Sequence, residues 1–145
     1  MSKELSTVKY SPKAHLKYSL DVPKGYEIKR YEVTVEKERR FVYKDSSFVY
    51  ITNFRNTPNY ENIKSLEDSV LQLRFQNEEI TKQVNELLGK NQVTVLPDTF
   101  ELSGVNSRSL FWKDIKIGKV SIGYDNVPKG KKELFDKSLK TIKMK

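Results

Sequence analysis

The sequence contains no cysteine and a single histidine among its 145 residues. Without cysteine the chain cannot form a disulfide, a thiolate nucleophile, an iron–sulfur cluster or a cysteine-containing zinc site. One histidine excludes two-histidine metal motifs such as H-E-x-x-H, and a Ser-His-Asp triad would depend on His15 alone. Because His15 precedes the first clear strand pattern, we interpret it as a surface residue.

Long hydrophobic runs are also missing. No stretch approaches the ~18 to 20 consecutive apolar residues that a membrane-spanning helix requires, and the opening MSKELSTVKYSPK lacks the apolar core of a signal peptide. We therefore expect no transmembrane segment. Two origins are open for such a start: a cytosolic protein, or the mature part of an exported protein whose leader has been removed.

Recognisable catalytic motifs are scarce as well. The six glycines form neither G-x-G-x-x-G nor a P-loop, so no nucleotide-binding signature is present. Carboxylates lie close together at Glu36 with Glu38 and at Glu78 with Glu79, but the neighbouring lysines indicate a solvated surface rather than a catalytic cleft. We predict that the chain is not an enzyme and has no cofactor or metal. A hydrolase with a carboxylate-only site is kept as a third hypothesis.

Basic residues are plentiful, and they are unevenly distributed. The net charge is +8, made up of +5 over residues 1–60, −3 over 61–88, 0 over 89–112 and +6 over 113–145. Two basic ends favour an anionic partner such as nucleic acid or a charged membrane surface. The candidate anion-binding residues are Lys129, Lys131 and Lys132, which precede a predicted helix. The alternative is an ordinary solvated start of that helix.

Alternation of apolar and polar residues predicts several short strands. Residues 1–14 lack this pattern and are predicted to be a flexible N-terminal tail, so the domain is expected to span 15–145. Strands are predicted at 16–22 and 31–35, and the charged segment 36–40 either extends the second strand or turns the chain into the next one. Residues 48–51 are apolar on both parities, which is typical of a central strand.

From residue 60 to residue 88 the hydrophobic period becomes helical, and Asn77 is the one polar member of the stripe. The stripe is either a coiled-coil seam for self-association, with Asn77 fixing the register, or a helix laid across the sheet. We favour the second interpretation because the flanking strands need a cover.

The segment 110–124 has the clearest hairpin pattern, with Gly118-Lys119 between two strands of opposite parity. A glycine bulge within one long strand gives the same pattern. The residues after 129 predict a short amphipathic C-terminal helix. Trp112, Tyr50 and Tyr124 form a candidate aromatic surface for stacking a ligand, and burial of Trp112 in the core is the favoured alternative.

Three segments carry a resemblance to known proteins: KYSLDVPKGYEIKRYEV, KDSSFVYITN and LFWKDIKIGKVSIGYDNVPKGKKELFDKSLKTIK. They resemble a group of small uncharacterised lipoproteins of Bacteroidetes envelopes. The order of predicted elements is similar in outline to the Mog1/PsbP-like α/β/α sandwich. The resemblance implies a periplasmic or cell-surface location, a lipid anchor attached through a removed leader, and another envelope protein as partner. It transfers no functional residue.

We therefore predict one α+β domain with an antiparallel sheet of about six strands, covered by the long helix and the C-terminal helix. The predicted function is a non-enzymatic binding or accessory domain of an exported envelope protein. The alternative is a cytosolic nucleic-acid-binding protein that uses the basic N- and C-terminal segments.

Overall fold

The computed structural model describes residues 4–65 and 99–144, of which 55% lie in strands and 15% are helical. The larger elements in chain order are β1 (Leu5–Lys13), β2 (Leu16–Pro23), β3 (Glu27–Val33), β4 (Glu36–Val42), β5 (Phe48–Thr52), α1 (Tyr60–Lys64), β6 (Thr99–Val105), β7 (Phe111–Ile117), β8 (Val120–Val127), α2 (Lys132–Leu139) and β9 (Lys143–Met144). A 3-10 turn, Lys129–Lys131, leads into α2.

The described strands form two antiparallel sheets. The small sheet has the order β1-β2-β9, and the large sheet has the order β3-β4-β5-β8-β7-β6. Two-residue turns close the β3–β4 hairpin at Thr34-Val35 and the β7–β8 hairpin at Gly118-Lys119. Gly118 has φ +63°, the conformation that a type II′ turn requires at its first central position. The hairpin predicted over 110–124 is confirmed.

The large sheet has two covered faces. Alternation along the strands places Val49 opposite Tyr124, and Ile51 opposite Ile122, on one face. This is the core face, which contacts the small sheet and α2. Tyr10, Leu20 and Val22 of the small sheet and Phe135 and Leu139 of α2 pack against this face. The opposite face, called the rear face below, carries the register row Tyr50, Gly123, Asp114 and Leu102.

The predicted α+β class with a Mog1/PsbP-like outline is wrong, because the described residues are mostly β-structure in two sheets. Only α2 among the described helices has seven or more residues, and no long helix covers the sheet there. Of the predicted helix over 60–88, residues 60–64 are helical as α1, and 66–88, with Asn77, lie outside the described residues. The core face is instead covered by the small sheet together with α2.

Residues 1–14, expected to be a flexible tail, contain strand β1, which pairs with β2 from Leu5 to Lys13. The buried side chains of Leu5 and Tyr10 explain the difference. They lie five residues apart and so have opposite parity in a regular strand, which gives no alternation. Val8 and Pro12 share the parity of Tyr10 and are partly or fully buried, but a proline is not typical of a strand.

Candidate functional site

Four of the seven exposed large hydrophobic side chains among the described residues lie at one edge of the large sheet, on β3 and the turn that follows it. Every residue of β3 is exposed. The exposed fractions are 39% for Ile28, 40% for Tyr31 and 59% for Val33, and Val35 in the turn reaches 64%. We call residues 27–35 the β3 edge. An exposed edge strand of this length and apolar content is the kind of surface that can pair with another strand.

The β3 edge is held in place from behind by β4. Phe41 of β4 is buried in the core face opposite Ile28. Beyond the end of β5, the Asn53 side chain accepts a hydrogen bond from Lys37 N at 2.7 Å and donates to the Val35 carbonyl at 3.3 Å. The Tyr10 hydroxyl, from the small sheet, donates to the Lys37 carbonyl at 2.8 Å. These bonds hold the tip of the β3–β4 hairpin in place.

The register determines which main-chain groups of β3 have no strand partner within residues 4–65 and 99–144. Val33 and Glu36 close a two-residue hairpin, and such a closing pair is hydrogen-bonded. The N–H and C=O groups of alternate residues from Val33 back to Glu27 therefore point towards β4. Those of Ile28, Arg30 and Glu32 point away from the sheet, since β3 is its terminal strand. A partner strand would bond to these three residues.

Charged side chains alternate with the apolar ones along the β3 edge. Glu32 pairs with Arg39 at 2.7 Å, and the Arg40 guanidinium lies 4.7 Å from the centre of the Tyr31 ring. Lys29 and Arg30 are the kind of charges that protect an edge strand from indiscriminate pairing. The β3 edge therefore carries charges of both signs between its exposed apolar side chains.

The predicted anion-binding lysines lie at the start of α2, but they are not all available. Lys131 bonds Asp45 at 2.7 Å, and Lys132 bonds Asp136 at 2.6 Å. Lys129 and Lys132 line a shallow, open cleft of about 580 Å³ along α2, and Lys131 is not among its lining residues. The other residues lining the cleft are Glu133, Asp136, Lys137 and Lys140.

Asp136 joins α2 to the large sheet beneath this cleft. It accepts hydrogen bonds from the Tyr124 hydroxyl at 2.5 Å and Lys132 at 2.6 Å, and it pairs with Lys113 at 2.7 Å. Burial raises the pKa of Asp136, but the hydrogen bonds from Lys113, Lys132 and Tyr124 outweigh it and hold that pKa below its ordinary value. Asp136 already neutralises two of the nearby ammonium groups, so its contribution to the site is structural.

The candidate aromatic surface is wrong, because Tyr50, Trp112 and Tyr124 are all buried. They also lie on opposite sides of the large sheet. Tyr124 is on the core face, where its ring meets Phe135 edge-on at 5.9 Å. Tyr50 and Trp112 have the parity of the rear face. The favoured alternative for Trp112, burial in the interior, is confirmed.

The rear face contains a buried polar cluster that the sequence analysis did not identify. The Tyr50 hydroxyl donates to one oxygen of Asp114, and Asn59 donates to the Tyr50 hydroxyl at 3.0 Å. The other Asp114 oxygen and the Thr57 hydroxyl are buried without a hydrogen-bond partner of good geometry. Asp114 shares the parity of Trp112 on β7, which is the one sequence signal that pointed to its burial.

Burial raises the pKa of Asp114 to about 6, although the neighbouring Tyr50 and Thr57 hydroxyls and Lys116 favour its ionised form. Burial and the adjacent Asp114 raise the pKa of Tyr50 well above its ordinary value. A carboxyl and a phenol with raised pKa values are typical of acid–base sites. Here Tyr50, Asp114 and Asn59 have no solvent-accessible surface, so no substrate reaches them in this conformation.

The remaining candidates that the structure describes, His15, Glu36 and Glu38, do not lie together in one site. His15 lies in the exposed turn between β1 and β2. Glu38 is buried and paired with Arg40 at 2.6 Å, so the solvated surface expected for Glu36 and Glu38 is wrong for Glu38. Glu78 and Glu79 lie outside the described residues. Over residues 4–65 and 99–144, no group of three or more histidine or acidic side chains is placed to hold a metal ion. No described helix has the length and apolarity needed to cross a membrane.

A comparison of the chain with models of known protein families, with curated proteins and with solved structures finds no match.

Proposed function

We propose that this chain is a non-enzymatic binding domain that accepts a segment of a partner protein as an additional strand along the β3 edge. The observation that carries the proposal is the seven-residue terminal strand, exposed at every residue and held rigidly by β4, Asn53 and Tyr10. Strand addition obtains its affinity from main-chain hydrogen bonds and its specificity from alternate side chains. Ile28, Arg30 and Glu32 supply those main-chain groups.

The charges of the edge define the chemistry of the partner segment. Arg30 and Glu32 are exposed and separated by one residue, so they point to the same side. A complementary strand places an acidic residue opposite Arg30 and a basic residue opposite Glu32. Apolar or aromatic residues on its other side contact Tyr31 and Val33.

The experiment uses proline to remove one donor. Arg30→Pro removes an N–H that points away from β4, so the internal pairing is kept while the added strand loses a hydrogen bond. Arg30→Thr is the matched control, since it removes the charge and keeps the N–H.

A photo-crosslinking residue is placed at Tyr31 and, as a positional control, at Lys119 in the exposed turn of the β7–β8 hairpin. We expect a specific adduct from position 31 alone in the native cell. The identified protein, once purified, should bind the parent chain and Arg30→Thr but not Arg30→Pro. Equal adducts at positions 31 and 119, or equal binding by both Arg30 variants, contradict strand addition.

A second candidate function, binding of a nucleic acid, is supported by the lysines along α2. Lys129, Lys137 and Lys140 line the cleft and form no ion pair within the described residues. Binding driven by phosphates weakens steeply as salt rises. Titration of a fluorescent oligonucleotide at ~50 and ~200 mM salt tests this candidate, and absence of binding at the lower concentration rejects it.

An envelope location is a separate proposal, supported by the resemblance of the three segments quoted above. The intact mass and N-terminal sequence of the protein isolated from its native cell test it. A lipid-modified cysteine upstream of Ser2 supports the envelope, and an unmodified start at Met1 or Ser2 contradicts it.

A further inference from the structure

We infer that the β3 edge also recognises itself: a second copy of the chain adds to it in the antiparallel register that places Tyr31 opposite Tyr31 and Arg30 opposite Glu32. This inference rests on the proposed function, because it uses the same edge for the same kind of strand addition, and it names the partner. It differs from the coiled-coil self-association considered for residues 60–88, because a strand makes the contact.

Symmetry limits the registers available to such a pair. A two-fold axis perpendicular to the sheet keeps the core faces of both copies on the same side, so residues of like parity must oppose each other. The axis therefore passes through a residue pair. Centring on Arg30 opposes two arginines and sets Ile28 against Glu32. Centring on Tyr31 sets Arg30 against Glu32 twice and Lys29 against Val33.

Electrostatics select the second register. Opposite charges directly across an antiparallel pair are stabilising, and like charges are destabilising. β3 contains two acidic and two basic residues, so its own charge is zero although the chain carries +8. The pairing centred on Tyr31 is self-complementary, because Arg30 of each copy lies opposite Glu32 of the other.

The hydrogen-bonding phase agrees with the same register. Arg30 and Glu32 both direct their main-chain groups away from β4, as argued from the closing pair Val33–Glu36. Opposed to each other, they exchange about four main-chain hydrogen bonds across the axis. Tyr31 then occupies a non-hydrogen-bonded position, where the two Cα atoms approach to ~4.5 Å.

The absence of cysteine makes a disulfide test unambiguous. Tyr31→Cys places two thiols across the axis at a separation that a disulfide accepts. Val33→Cys is the matched control, because in this register the two copies of residue 33 are separated by about four residue rises, ~13 Å. With diamide as oxidant, we expect Tyr31→Cys to give a covalent dimer and Val33→Cys to remain monomeric. Equal cross-linking of both, or none by Tyr31→Cys, overturns the register.

Charge reversal tests the interface without a covalent bond. Arg30→Glu and Glu32→Arg each bring like charges together, whereas the double variant restores opposite charges with the signs exchanged. Self-association is measured by analytical ultracentrifugation at ~0.15 M salt. The Debye length there is ~8 Å, so the general repulsion between two basic molecules is largely screened. We expect each single variant to weaken self-association at least tenfold and the double variant to recover it.

The outcomes separate this inference from the proposed function. A parent chain that is monomeric at ~0.5 mM, in the range where even small interfaces associate, contradicts self-recognition. If Arg30→Pro nevertheless abolishes binding of a different protein, strand addition stands and only the self-recognition fails. If the parent chain is monomeric and Arg30→Pro does not affect binding of any other protein, both the self-recognition and the strand addition are contradicted.

Discussion

At the scale of single residues, the rear face shows how closely the sheet is packed around Tyr50. Gly123 lies opposite Tyr50 in the register, and because it has no side chain the Tyr50 phenol can occupy that space. A Cβ atom there would collide with the Tyr50 ring and with the Lys113 carbonyl. Tyr50 in turn holds Asp114 and Asn59, so one glycine determines whether the polar cluster can form.

We expect Gly123→Ala to destabilise the chain by about 3 kcal/mol, because overpacking a buried sheet forces backbone and ring to shift. Thermal unfolding followed by circular dichroism measures the effect. Gly130→Ala is the control, since nothing lies within 4 Å of a Cβ at that position. A loss of stability no larger than that of the control would show that Tyr50 does not occupy this site.

Asp114 should make stability depend on pH. Its pKa in the folded chain is about 6, above the ordinary value of 3.8, so the folded state binds the proton more tightly than the unfolded state. Stability from this group is therefore greatest below pH ~4 and falls as pH rises towards 6, by about 3 kcal/mol in total.

Asp114→Asn removes that titration while keeping the shape of the side chain. Urea unfolding of both proteins at pH 4 and pH 7 isolates the contribution of Asp114 from that of the other acidic groups. The variant should gain stability relative to the parent on going from pH 4 to pH 7. A difference between the two proteins that is constant with pH would contradict a raised pKa.

At the scale of elements, the β3–β4 hairpin combines a well-supported tip with an unfavourable turn residue. Thr34 has φ +52°, and a β-branched side chain rarely adopts this left-handed conformation. Its neighbour Val35 has an ordinary negative φ. The turn is therefore held in shape by the bonds to Asn53 and Tyr10 described above.

Thr34→Gly should stabilise the chain by up to about 1 kcal/mol, because glycine accepts this φ at the first position of a type II′ turn without strain. Part of the gain is offset by the greater freedom of glycine in the unfolded chain. Chemical denaturation measures the net change in the free energy of unfolding. Val35→Gly is the control and should lower stability; a gain from both variants would mean that backbone strain at Thr34 is not the cause.

Helix α2 is attached to the large sheet through Asp136. Asp136→Asn weakens its bonds to Lys113, Lys132 and Tyr124. It leaves the largely buried Lys113 ammonium with only the longer 3.5 Å pair to Glu101, for an expected loss of about 2 kcal/mol. Asp45→Asn, which affects the exposed pair with Lys131, should cost about 0 to 1 kcal/mol. Urea unfolding compares the two, and an equal loss from both would contradict a special role for Asp136.

At the scale of the whole molecule, local patterns predicted the strands better than their arrangement. The strand at 16–22, the central strand at 48–51 and the hairpin at 110–124 were visible because periodicity and turn residues are local signals. The pairing of β5 with β8 joins residues 69 to 77 positions apart, and nothing local encodes it. The exposure of the β3 edge could not be predicted either. The alternation around Tyr31 and Val33 is typical of a half-buried strand, and only the strand order shows that β3 lies at the end of the large sheet.

The same reasoning explains the two candidate surfaces. Tyr50 and Tyr124 are both aromatic residues in strands, and only the register shows that they lie on opposite faces. Of the lysines predicted to bind an anion, Lys129 and Lys132 line one cleft and Lys131 does not, and two of the three are paired with Asp45 and Asp136. The Lys132–Asp136 pair is local, four residues apart on α2, and helical spacing could have revealed it. The Lys131–Asp45 pair joins residues far apart in the sequence, so charge counting along the chain does not detect it.

β1 decides whether the N-terminal segment belongs to the cooperative fold. Leu5 and Tyr10 are buried, and Tyr10 bonds Lys37 across the two sheets, so opening β1 exposes core surface and breaks a link to the large sheet. The β1 amides directed at β2 should therefore exchange with solvent deuterium at least ~10³-fold more slowly than unstructured amides. Ala14 and His15, in the exposed turn beside them, are the internal control and should exchange rapidly. If the β1 amides exchanged as fast as those two, residues 5–13 would be a tail in solution, and the small sheet would not form as described.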